Sequence, residues 1–204
     1  MTEAAPDSER QGPRLLLARA LTEVFAPAPC MAMLLFGVTL PATPTLGAGV
    51  GWALVAAGFV SALPMAYVFR GVLRDRLTDH HVVDRAQRLA PLVVAEVSAT
   101  VGAAVLAGWG APRALVVTMV TAAGGLGIAT LITLAWKISF HATGVAGAVA
   151  LLGATYGWKW LPLGLLAVAA VAWARVELRH HTPGQVAAGA ALGASIGWVG
   201  TWFL

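Results

Sequence analysis

Arg175, His181 and Gln185 share one polar stretch of the chain, with five residues between the first two and three between the last two. Arginine presents a planar fork of donors that matches phosphate oxygens. Histidine is both a nucleophile and a proton carrier near neutral pH. His181 stands just before Thr182 and Pro183, and threonine as N-cap with proline at the first helical position predicts a helix starting there. An imidazole so placed faces an anion held near unpaired helix-start amides. Upstream, Lys137, Ser139 and His141 add an ammonium, a hydroxyl and a second imidazole. The chemistry open to this set is phosphoryl transfer: cations hold the oxygens, one imidazole attacks, and the other moves a proton.

Those residues must be carried by membrane helices. Of 204 residues, 59% are hydrophobic and 11% charged, against about 25% charged in a soluble domain. Apolar runs near 25–40, 46–69, 89–109, 114–136, 142–158, 160–174 and 185–203 approach the roughly 20 residues that a bilayer crossing needs. The expected fold is all-α, a polytopic transmembrane bundle of six or seven spanning helices. Residues 1–21 read as a cytoplasmic tail leading into an interfacial segment, and 22–204 as a single transmembrane domain. The apolar run at Leu15–Ala18 is too short for a signal peptide. Tryptophans 109, 136, 158, 160, 198 and 202 fall near run ends, where an interfacial belt places them. Cys30 reads as a small buried hydrophobe. Gly189, Gly193 and Gly197 recur every four positions, and Gly144 and Gly147 open the run before; such ridges let helix backbones approach closely in lipid.

Seven crossings would sort the polar joints onto two faces. The tail and the joints 70–88, 137–141 and 175–185 share one face, with 11 of the 13 lysines and arginines and all five histidines. Arg113 and Lys159 lie on the other. The positive-inside rule makes the crowded face cytoplasmic, so the expected location is the plasma (inner) membrane with the site on its cytoplasmic side. A net charge of +4 spread along such joints suits headgroups; no nucleic-acid partner is expected, and the oligomeric state stays open.

Ser139-Phe-His141, followed by Arg175-x5-His181, resembles the type 2 phosphatidic acid phosphatase (lipid phosphate phosphatase) superfamily. Its signature is K-x6-R-P, then P-S-G-H, then S-R-x5-H-x3-D. The likeness covers the C-terminal two thirds of the chain and matches the second and third motifs at Ser139, His141, Arg175 and His181. It implies that His181 attacks phosphorus and that His141 protonates the leaving group. Arg175, Ser139 and backbone amides would bind the nonbridging oxygens, with no metal or other cofactor. Ala174, Ile138 and Phe140 depart from the pattern, and Gln185 replaces the aspartate. A glutamine oxygen accepts the Nδ1 proton and fixes the tautomer, but it does not stabilise an imidazolium as a carboxylate does. Glu177 is one source of compensating charge.

The first motif is divergent. Arg88 aligns with its arginine, His81 stands in place of the lysine, and Leu89 replaces proline. On a helix His81, Arg85 and Arg88 share a face and would bind phosphate. Lys137 suits either phosphate binding or snorkelling at a membrane edge, and Arg179 and His180 read as surface residues. Asp79, Asp84 and His80 offer a weak divalent-metal set. Glu96 sits within an apolar run, where it is either a neutral acid or paired with an arginine.

The function expected is hydrolysis of a lipid phosphate or a prenyl diphosphate through a phosphohistidine, with the isoprenoid class slightly preferred on topology. A second reading is a prenyl diphosphate cyclase or transferase with a metal on Asp79 and Asp84. A third is a transporter or a scaffold that binds anionic lipid.

Overall fold

Prolines and glycines cut the apolar runs, and helices form between the cuts. The computed structural model describes residues 12–80, 82 and 85–204. These residues form eight α-helices: α1 Pro13–Val24, α2 Pro27–Thr39, α3 Leu46–Leu73, α4 Leu89–Gly108, α5 Arg113–Ala135, α6 Phe140–Tyr156, α7 Leu161–Glu177 and α8 Pro183–Thr201. Each of the seven apolar runs became a helix. Part of the expected N-terminal tail, from residue 13, is helical as well; residues 1–11 lie outside the described part.

Four helices are long and apolar enough to cross a membrane (α3, α4, α5 and α7 with the short turn before it), so this is a membrane protein with transmembrane helices. The count becomes five if α1 and α2, which meet at 51°, make one span. That is fewer than the six or seven expected from the sequence. The shortfall has two physical sources. α6 has only 17 residues, about 25 Å of helix against a hydrocarbon core of about 30 Å. α8 is diluted by its glycines and by Gln185 in its first turn. All six tryptophans named above are exposed, as a belt requires, and Cys30 is buried and free.

α6 and α8 make the most extensive contact in the fold, and glycine is the reason. A Cβ on Gly189 would stand 2.6 Å from the Ser139 carbonyl oxygen, and one on Gly197 2.7 Å from that of Gly147. At Gly193 it would strike the Thr143 carbonyl. The ridge therefore lays α8 directly on the α6 backbone. α2 and α7 also pack on α6, α5 packs on α4 and α8, and α1 lies along α7.

α3 carries a wide π-helical turn at Gly58–Ala62. Leu63 donates to the Gly58 carbonyl five residues back; the next donor in that pattern would be Pro64, which has no N–H. The orphaned Phe59 carbonyl accepts the Ser98 hydroxyl at 2.6 Å instead, pinning α3 to α4. Ser61 likewise donates to the Ala28 carbonyl of α2 at 2.8 Å.

Replacing Gly193 by leucine should force α6 and α8 apart and cost at least the roughly 1–3 kcal/mol of an overpacked core. Gly124, beside open space on α5, should accept leucine without loss. Thermal unfolding in detergent checks both; equal melting temperatures for the two variants would dismiss the ridge as the organising contact.

Candidate functional site

Helix-end geometry explains the spacing of Arg175, His181 and Gln185. α7 ends with Arg179 in the left-handed region (φ 55). Its amide donates to the Val176 carbonyl at 2.9 Å, and the His180 amide to that of Arg175 at 3.1 Å, the paired bonds of a Schellman cap. The His181 amide also reaches the Arg175 carbonyl, at 3.2 Å. One residue on, α8 opens with a capping box: Gln185 N donates to Thr182 Oγ1 at 3.3 Å, and Thr182 N to Gln185 Oε1 at 3.2 Å. His181 is the single residue between these two caps.

The same Gln185 oxygen lies 3.2 Å from His181 Nδ1. Because Oε1 accepts the Thr182 amide, the side chain is oriented with its oxygen toward the imidazole, and Nδ1 must be the donor. The lone pair of the neutral ring then resides on Nε2. Burial, followed by the charges of Arg175, Arg88 and Lys137, holds the His181 pKa down at about 3, against an ordinary 6.5; the bond to Gln185 opposes that shift. The ring is thus unprotonated at neutral pH.

The second imidazole enters from α6. Ser139 caps that helix, its Oγ accepting the Ala142 amide at 3.4 Å, and its own amide donates to the Gln185 carbonyl at 3.3 Å. This bond ties the start of α6 to the first turn of α8 and brings His141, only 4% exposed, to the same end of the bundle as His181. Arg88, at the start of α4, donates from Nε to the Val82 carbonyl at 2.8 Å and from Nη1 to that of Ile138 at 3.5 Å. Its guanidinium also lies 5.9 Å from the Phe140 ring centre. Val82 has φ 45, an unfavourable conformation for a β-branched residue, and it directs this carbonyl at Arg88.

Arg88, His141, Arg175 and His181 line one cavity of about 440 Å³. Arg175 is 1% exposed, and its Nε and Nη1 have no hydrogen-bond partner among the described residues. A buried guanidinium with unsatisfied donors is costly. An anion in the cavity, which Arg175 lines, would offset that charge.

The other expected residues fall elsewhere. Gln185 meets the site through its bond to His181, while Ser139 and Lys137 do not line the cavity; Lys137 contributes its charge. His81 and Asp84 lie outside the described residues, and the Arg85 side chain is not described. His80 lies at the cavity rim, its Nε2 3.3 Å from Glu23 Oε1 and its ring stacked on Phe69. Asp79 accepts the Thr78 hydroxyl at 3.3 Å. No three histidine, cysteine, aspartate or glutamate residues gather as a metal-binding group among the described residues. Glu177 does not compensate for Gln185, because Arg14 of α1 holds it at 3.1 Å. Glu96 packs against Gly127; among the described residues no ion pair joins it to an arginine, and its Oε2 is buried with no hydrogen-bond partner. Val82, Phe140 and Glu23 were not marked as site residues in the sequence, where Phe140 figures only as a departure from the motif. Only the proximity of Phe140 to Ser139 and His141 could have flagged one of them. Compared with known protein families, curated proteins and solved structures, the chain matches none.

The depressed His181 pKa has a definite sign in stability. As pH falls below 6.5 the unfolded chain takes up a proton that the folded ring refuses until about pH 3, so this contribution is complete above 6.5 and is lost on the way down. From pH 6.5 to 4 the melting temperature of the wild type should fall more steeply than that of His181→Gln. Parallel curves would mean that the ring titrates normally.

Proposed function

We propose that the protein is a membrane-embedded phosphatase acting on a lipid phosphate or a prenyl diphosphate, with His181 as nucleophile. The observation that carries this reading is the buried Arg175 guanidinium, whose Nε and Nη1 have no partner among the described residues, at the same cavity as two imidazoles. The likeness to the lipid phosphate phosphatase motifs supports it, and so does the tautomer that Gln185 imposes.

In this reading the substrate phosphate sits against Arg175 and Arg88, which neutralise its nonbridging oxygens. His181 Nε2 gives its lone pair to phosphorus, and the bond from phosphorus to the leaving oxygen breaks. That oxygen takes a proton from the His141 imidazolium. Water then attacks the phosphohistidine and gives a proton back to His141, and the P–N bond breaks to return the lone pair to Nε2 and release inorganic phosphate. Ser139, which caps α6 and does not line the cavity, serves the site by holding the helix start that carries His141. Gln185 orients the ring without supplying the charge that a carboxylate would, so the His181 imidazole gains less help as it becomes positive.

α6 and α8 complete the crossings in this reading. They sit within the bundle, where helix packing tolerates a short or glycine-rich span, and the total comes to seven with α1 and α2 as one. The end that bears Arg88, Arg175 and the histidines then faces the cytoplasm, because most of the cations gather there.

Phosphate release from a panel of lipid phosphates in detergent, with a metal chelator present, is the direct test. His181→Ala should abolish it, and His141→Ala should lower it by about 10²–10⁴, the usual worth of a general acid. Gln185→Glu should speed it and raise the His181 pKa. Hydrolysis that persists in both histidine variants refutes the mechanism. Dependence on magnesium with hydrocarbon products would favour the cyclase reading. For the orientation, Thr78→Cys in intact cells should resist an impermeant thiol reagent; ready labelling there reverses the assignment.

A further inference from the structure

The same cavity continues past the polar end, and the side chains below His141 are small. On α6 the cavity wall runs through His141, Gly144, Ala148 and Leu151, positions spaced so that they stack along one helix face. A Cβ on Gly144 would meet no atom within 4 Å, so one turn below His141 the wall opens onto space. Across from it, α4 contributes Ala95 and Ala99, and α5 contributes Gly125. Leu34 of α2 and Leu151 lie at the far end, and both are almost completely buried.

We propose that this apolar extension is a tail-binding channel, that Gly144 is the position admitting the tail past His141, and that Leu34 and Leu151 end it. The proposal rests on the phosphatase reading only for the chemistry of the head; the channel itself follows from the cavity and the buried Arg175. From His141 to Leu151 is ten residues along α6, a depth of about 15 Å. An extended hydrocarbon advances roughly 1.3 Å per carbon given its bond length, so the channel takes about a dozen carbons. The ligand class is a lipid phosphate whose first dozen or so tail carbons are slender, whether alkyl or isoprenoid. Gly144 is a specificity-determining residue here, and it has no part in the chemistry.

The test is binding, so that it stands apart from turnover. Inorganic phosphate and alkylphosphonates from methyl to hexadecyl are titrated into the full-length protein in lipid nanodiscs. In the wild type, affinity should rise at least tenfold from methyl to dodecyl and then level off. Gly144→Leu should cut that gain to less than twofold while binding inorganic phosphate as the wild type does. Ala148→Phe, lower on the same wall, should move the plateau to about eight carbons. Gly124→Leu, outside the cavity, should behave as the wild type. A length dependence unchanged by Gly144→Leu and Ala148→Phe overturns the channel, as does a loss that falls equally on inorganic phosphate. Length-dependent binding without phosphate release from any lipid phosphate would instead defeat the phosphatase reading and leave the channel standing. Release that is indifferent to tail length would do the reverse.

Discussion

The close approach of α8 to α6 is the contact on which the remaining geometry depends. With glycine at 189, 193 and 197, nothing intervenes between the two backbones, and the Ser139 amide can reach the Gln185 carbonyl at 3.3 Å. That single bond sets the first turn of one helix beside the first turn of the other. Two imidazoles that are forty residues apart along the chain therefore arrive at one cavity. Any side chain larger than hydrogen on the ridge would act through the backbone, and the whole polar end would move with it.

Electrostatics at that end runs against burial, which is what makes it informative. Arg88 and Arg175 are both under 10% exposed, and charged groups are almost never so deep without compensation. Arg88 has backbone carbonyls and an aromatic face around it. Arg175 spends its carbonyl on the amides of His180 and His181, and its Nε and Nη1 have no partner among the described residues. One residue thus fixes the backbone of the loop that carries His181 and presents charge to the cavity beside it. The x5 spacing is the reach of a Schellman cap plus one residue, and the x3 spacing is the reach of a capping box plus that same residue.

Much of this was legible in the chain. The apolar runs marked the helices, the Thr182-Pro183 pair marked the start of α8, and the glycine ridge marked a close packing face. The convergence of Arg175, His181 and His141 followed from which joints share a face. The interfacial segment expected after the tail corresponds to α1, while its break from α2 is marked only by Pro27, which can open a helix but cannot continue one. Length and hydropathy alone pick out four or five spans, short of six or seven, because α6 and α8 owe their places to packing rather than to hydropathy. Partners of single charges were the least legible. Nothing local tells Glu177 to choose Arg14, or Val82 to adopt a positive φ and aim its carbonyl at Arg88.

The wide turn in α3 has a consequence for which side chains see the cavity. Gly49, Ala53 and Ala56 form the buried stripe of its first half, and an unbroken helix would continue that stripe through positions 60, 63 and 67. Leu63 and Tyr67 instead point outward, 55% and 40% exposed, while Pro64 and Val68 are buried. The turn has taken up one surplus residue and rotated everything beyond it by about 100°. A chain shortened by one residue between 58 and 62 could wind as ordinary α-helix there, and each later residue of α3 would keep the azimuth it holds now. The bulge thus works like a one-letter insertion in a reading frame, preserving two incompatible registers on a single rod.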